Sequence, residues 1–159
     1  MTRARGARAG ALRVAVTNET GPVAVSAARC GDAARHVLHA EGVRHAMLSV
    51  TFLPPAAMAR LNRSHLGHAG TTDVIAFGFA PTPGGGVVGD IYLCPDVARR
   101  NAREAGCGVR EELLRLVVHG TLHVLGWDHP AGAGRATSPM WKRQERLLAV
   151  VMRRRARAA

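Results

Sequence analysis

His119, His123 and His129 fall at relative positions 0, +4 and +10 in the run His119-Gly120-Thr121-Leu122-His123-Val124-Leu125-Gly126-Trp127-Asp128-His129. In an α-helix, side chains four apart lie on one face, one turn above the other. His119 and His123 can therefore aim two imidazoles at one point. Gly126 follows three residues later, where a glycine can adopt the left-handed conformation that stops a helix. The chain can then turn back and bring His129 to the same point. Three neutral imidazoles with an open fourth position form the donor set of a catalytic zinc site, whereas a structural site is closed by four protein ligands. Imidazole also suits nickel, so both metals fit the donor set. A lone histidine on an apolar helix is more often a hydrogen-bonded core residue, but here three must be explained together. The remaining five of the eight histidines (His36, His39, His45, His65 and His68) share no such geometry; His36 and His39 read as a solvated helix face.

The same spacing, H-x-x-x-H-x-x-G-x-x-H, occurs in zinc proteases that carry Glu directly after the first histidine as the general base. Here that position is Gly120. The zinc-holding geometry is shared and the peptidase base is not, which argues against a peptide hydrolase. Gly120 also permits close approach of a substrate or another backbone. Zinc on three histidines lowers the pKa of water from ~15.7 to about 7 and polarises phosphoryl or carbonyl oxygens, so hydrolysis is the chemistry to expect. Asp128 is the acid nearest in sequence to His129. It is a candidate general base, or an acceptor that orients a histidine N–H.

The elements that must position these residues follow from periodicity. Strands are expected over Leu12–Thr17, His45–Leu53, Thr72–Phe79 and Val87–Leu93, the last two as an antiparallel hairpin across the Pro- and Gly-rich turn 81–86. Helices are expected over Val23–Ala40, Ala56–Leu66 behind Pro54-Pro55, Pro95–Ala105 capped by Gly106 or Gly108, Val109–Leu125 and Pro139–Arg154. The order β-α-β-α-β-β-α-α-α predicts an α+β fold: a single domain with a small mixed four-stranded sheet, packed with about five helices. Val109–Leu125 is the longest helix, and its apolar flank Leu113–Val118 places the histidines in the core. Residues 12–152 form the domain, between a basic flexible arm at 1–11 and a basic tail at 153–159.

Composition narrows the function classes. With 47% hydrophobic residues the chain is globular, and no apolar run approaches the ~20 residues that cross a bilayer. The basic N-terminus is not followed by the apolar stretch of a secretory signal. Cys30, Cys94 and Cys107 are widely spaced with no C-x-x-C. They read as small core hydrophobes in a reducing cytoplasm rather than as a disulfide framework. The net charge of +11 favours an anionic partner, and nucleic acid is the usual one. Arg60 and Arg63, three apart on the second helix, are candidate phosphate contacts. Aromatic residues are only 4% of the chain, so contacts to phosphate and shape are expected rather than base reading.

The histidine run resembles the H-G-x-L-H-L-x-G-Y-D-H signature of the YbeY family of bacterial rRNA maturation endoribonucleases. Leu61-Asn62 with Thr72-Asp73-Val74-Ile75-Ala76-Phe77 resembles the family's L-N-…-T-D-V-L-S-F segment, and Gly89-Asp90-Ile91-Tyr92-Leu93-Cys94 its G-D-I-x-I-C strand. The resemblance implies one zinc ion on His119, His123 and His129. It also implies a single-strand-specific endoribonuclease acting on ribosomal RNA of the small subunit, in 16S 3′-end maturation and ribosome quality control. In two places the chain departs from the pattern. The arginine many members carry after L-N is Leu66 here, with Arg63 as the candidate substitute, and the serine of T-D-V-L-S-F is Ala76. The alternatives are a metal-braced ribosome assembly factor without catalytic activity, or another metallohydrolase of the peptidase kind.

Overall fold

The computed structural model of the protein describes residues 10–154. In chain order it contains β1 (Leu12–Asn18), α1 (Ala27–Ala40), β2 (Ala46–Phe52), α2 (Pro55–Leu66), β3 (Val74–Phe79), β4 (Val87–Leu93), α3 (Pro95–Ala105), α4 (Val109–Val124), a 3-10 turn at Gly132–Gly134, and α5 (Pro139–Arg153). The arm expected over 1–11, apart from Gly10 and Ala11, and the tail expected over 153–159, apart from Arg153 and Arg154, lie outside the described residues. None of the described helices is long and apolar enough to cross a membrane.

The four strands form one mixed sheet in the order β1-β2-β4-β3, with β1 and β4 parallel to β2 and β3 antiparallel to β4. The expected hairpin is the β3–β4 pair. Alternate residues of the two central strands (Leu48, Val50 and Phe52; Ile91 and Leu93) are buried with α1, α4 and α5 in the main core. Side chains alternate across a strand, so these three helices cover one face of the sheet. On the other face Ser49 donates to its register partner Asp90 at 2.6 Å, and Met47 and Phe79 are more than half exposed. A second cluster of Leu53, Met58, Ile75, Cys94 and Val97 holds α2.

The expected elements recur with their ends shifted by at most two residues, except at the start of α1. The spacing from Val23 suggests an earlier beginning, but Ser26 caps the helix by accepting from the Arg29 N–H at 3.1 Å. Val25, buried ahead of that cap, fills core from an extended segment. Of the two histidines expected on a solvated face, His39 is exposed and His36 is half-buried. Cys30 and Cys94 are buried as expected and Cys107 is half-buried.

α4 is the central element. Its residues from Glu112 to Leu122, Arg115 excepted, are all buried. Gly120 faces the sheet: a Cβ there would lie 2.7 Å from Ile91 Cγ2. The absence of a side chain thus lets α4 settle onto β4. The close approach read from the sequence is to the sheet, and not to a substrate.

Candidate metal centre

The three histidines converge. The His119–His123 ring centroids are 4.6 Å apart, and each lies 5.1 Å from that of His129. Their ligand nitrogens all fall within 4.8 Å of one another, so the cluster can hold a metal ion. Helix geometry supplies the first two. The third follows from Gly126, whose φ of 95° ends the helix. Its N–H donates to His123 O at 2.9 Å, and the Trp127 N–H donates to Leu122 O at 3.1 Å. Trp127 Nε1 then donates to Glu41 at 3.2 Å, and Glu41 also binds Arg143 at 2.7 Å. This ties the turn to the end of α1 and to α5.

Each imidazole is oriented by a different acceptor. His119 Nδ1 meets Gln144 Oε1 at 2.6 Å, His123 Nδ1 meets Trp127 O at 2.9 Å, and His129 Nδ1 meets Pro130 O at 3.0 Å. Carbonyl oxygens only accept, so all three Nδ1 atoms donate, and Nε2 is the nitrogen left on each ring to face a metal. The Gln144 amide is itself oriented, because its Nε2 faces Glu145 at 3.4 Å. Burial pushes His119 down to about 4, and burial and then His129 hold His123 below its ordinary value. At neutral pH both rings are therefore uncharged, as ligation requires. The donor set fits a soft or borderline divalent ion with an open position.

The model of the family described as endoribonuclease YbeY matches residues 15–152. The chain belongs to the endoribonuclease YbeY family. It is 40% identical to the endoribonuclease YbeY of Frankia casuarinae over 153 residues, covering 87% of this chain and 74% of that one. Against that of Beutenbergia cavernae it is 43% identical over 123 residues, covering 72% and 81%. Against that of Mycobacterium ulcerans it is 37% identical over 148 residues, covering 86% and 82%. A protein of Thermotoga maritima solved in solution shares the fold, with a TM-score of 0.57 and 24% identity over 87% of this chain and 88% of that one.

Not every residue singled out in the sequence of this YbeY family member lies beside the triad in the same way. Asp128 is exposed and accepts from the backbone N–H of His129 at 2.8 Å. It shapes the turn, while Gln144 and two backbone carbonyls orient the imidazoles. Arg60 and Arg63 are exposed on α2, which packs through the second cluster rather than the core that surrounds α4. Leu66 ends α2 and is 46% exposed, and Ala76 sits opposite Ile91 on β3. Gln144 was not legible in the sequence. It lies on α5, 25 residues beyond His119, and nothing local marks it as the partner of a histidine.

Proposed function

We propose that the protein is a zinc-dependent endoribonuclease that cleaves single-stranded RNA in the maturation of small-subunit ribosomal RNA. The observation that carries this reading is the convergence of three imidazoles, each held by a hydrogen bond from Nδ1 to a different carbonyl oxygen, with ligand nitrogens within 4.8 Å of one another. Family membership supplies the substrate class. His119, His123 and His129 would hold the ion, which supplies Lewis-acid polarisation of a phosphoryl oxygen and an acidified water. Imidazole binds a metal in its uncharged form, so a loaded centre would keep its full positive charge for an anionic phosphodiester. Gly120, packed on Ile91, offers no base on the helix, which separates this site from the peptidases that share its spacing. Maturation of the 16S 3′ end, ribosome quality control and a cytoplasmic location belong to the same proposal.

The test pairs metal analysis with cleavage of a labelled single-stranded RNA by the wild type and by His123→Ala. The expected result is about one zinc per wild-type chain, cleavage that stops on chelation, and a variant that has lost both metal and cleavage. Cleavage retained by metal-free His123→Ala overturns the reading. A variant that still joins ribosomal particles, beside a wild type that never cleaves, replaces it with the assembly-factor role. A parallel casein assay checks the peptidase alternative, for which no digestion is expected.

A further inference from the structure

Arg135 lies six residues beyond His129, between the 3-10 turn and α5. Its backbone is pinned. The N–H donates to Gly132 O at 3.1 Å, and the carbonyl accepts from Ser138 Oγ at 2.7 Å and from the Ser138 N–H at 3.2 Å. Ser138 in turn caps α5. The guanidinium carbon sits 5.8 Å from the centre of the Trp141 ring, within cation–π range. The side chain therefore has a defined direction.

What it lacks is a polar partner. Arg135 Nε is buried with no hydrogen bond, and among the described residues the guanidinium joins no ion pair. Only Nε of the guanidinium is buried, so its terminal nitrogens, which make no hydrogen bond among the described residues, are open to an acceptor. The contrast is Arg115, which lines the same cavity of about 610 Å³. Glu111, Glu112 and Glu145 saturate Arg115 at 2.8, 2.7 and 3.2 Å. The fourth carboxylate of the cavity, Asp73, accepts from Asn101 at 3.0 Å. Among the described residues, Arg135 is the cation of this cavity left open.

The cavity shares a wall with the metal centre through His119 and Gln144. A guanidinium matches two phosphate oxygens in a bidentate fork.

We propose that Arg135 binds a phosphate of the single-stranded RNA alongside the histidine triad. This inference rests on the endoribonuclease reading. The test measures binding of a labelled 2′-O-methyl single strand to zinc-loaded protein between about 50 and 200 mM salt, together with KM and kcat on the matching RNA. For Arg135→Ala, affinity is expected to fall about tenfold, with a rise in KM and unchanged zinc content. Its log–log salt slope is expected to be shallower by about 0.7, the loss of one phosphate contact to a single strand. Arg135→Lys should restore the slope and part of the affinity. Arg135→Met, which keeps an apolar stem over Trp141, should behave as the alanine variant does and serves in its place should that variant fail to fold. Wild-type affinity and slope in the Ala and Met variants, with only a lowered Tm, overturn the proposal and leave Arg135 as a packing partner of Trp141. Binding and cleavage by the wild type keep that result distinct from failure of the endoribonuclease reading, in which the wild type itself would not cleave.

Discussion

Gln144 is 1% exposed and His119 is 4% exposed. At that depth the 2.6 Å hydrogen bond between them decides which nitrogen of His119 is free to ligate. Replacing Gln144 with Leu leaves a buried Nδ1–H without an acceptor. The expected result is a 10- to 100-fold loss of metal affinity, typical when a residue behind a ligand is removed, with about 1–3 kcal/mol lost from stability. Competition against a chromophoric chelator measures the first and urea denaturation the second. Unchanged metal affinity in a folded Gln144→Leu protein would show that the tautomer is set elsewhere. The same burial predicts a pH response. The folded pKa of His119 is lowered from 6.5 to about 4, so between these values the unfolded chain binds more protons than the folded one. Stability of the metal-free protein is therefore complete above about pH 6.5 and declines as pH falls toward 4, by ~3 kcal/mol for this group. Urea midpoints at pH 7 and 4.5 should differ in that sense. The gap should narrow in His119→Gln, and an equal gap in both proteins would assign the acid sensitivity to other groups.

The element that carries the triad is held as tightly as its ligands. α4 approaches the sheet at Gly120, and at its end Val124 meets the register pair Gly78 and Gly89, where a Cβ on Gly89 would lie 2.5 Å from Val124 Cγ1. Gly120→Ala therefore forces α4 and Ile91 apart, and overpacking of this kind costs about 1–3 kcal/mol. In an Ile91→Ala background most of that cost should vanish, because the clashing methyl is gone. A double-mutant cycle on urea stability reads the coupling directly, and additive effects would mean that the strain lies elsewhere. These contacts also show where sequence reading stops. The i, i+4 spacing of His119 and His123 and the turn at Gly126 are local, so the convergence of the three histidines was legible from the chain alone, as were the elements and the β3–β4 hairpin. The sheet-facing role of Gly120 depends on Ile91, 29 positions away, and the acceptor for His119 comes from a different helix. Both arise only when α4 packs between the sheet and α5, and no periodicity encodes that. The start of α1 differs for a related reason: Val23 is apolar at helical spacing, yet the Ser26 cap begins the helix later and leaves Val25 as an extended core residue.

At the scale of the whole molecule, a net charge of +11 with 4% aromatic residues predicts, on the endoribonuclease reading, contacts to phosphates more than to bases. One of its few large aromatic rings, Trp141, is already engaged by Arg135. Backbone contacts attract any single strand by releasing its counterions, so affinity should fall linearly on a log–log plot against salt, with a slope near −0.7 for each phosphate engaged. Base stacking instead gives about 1–3 kcal/mol per base and survives salt better than ion release. Two single strands of equal length, one a uridine homopolymer and the other of mixed sequence, should therefore bind with affinities within about tenfold of each other. Both should weaken in parallel as salt is raised. Fluorescence anisotropy with zinc-loaded protein measures this. A strong preference for one strand that persists at high salt, with a shallow slope, would place recognition in base contacts. It would also shift attention from the arginines to Phe77, whose ring centroid lies 6.5 Å from that of Phe79 and 6.1 Å from that of Tyr92, as the surface to mutate first.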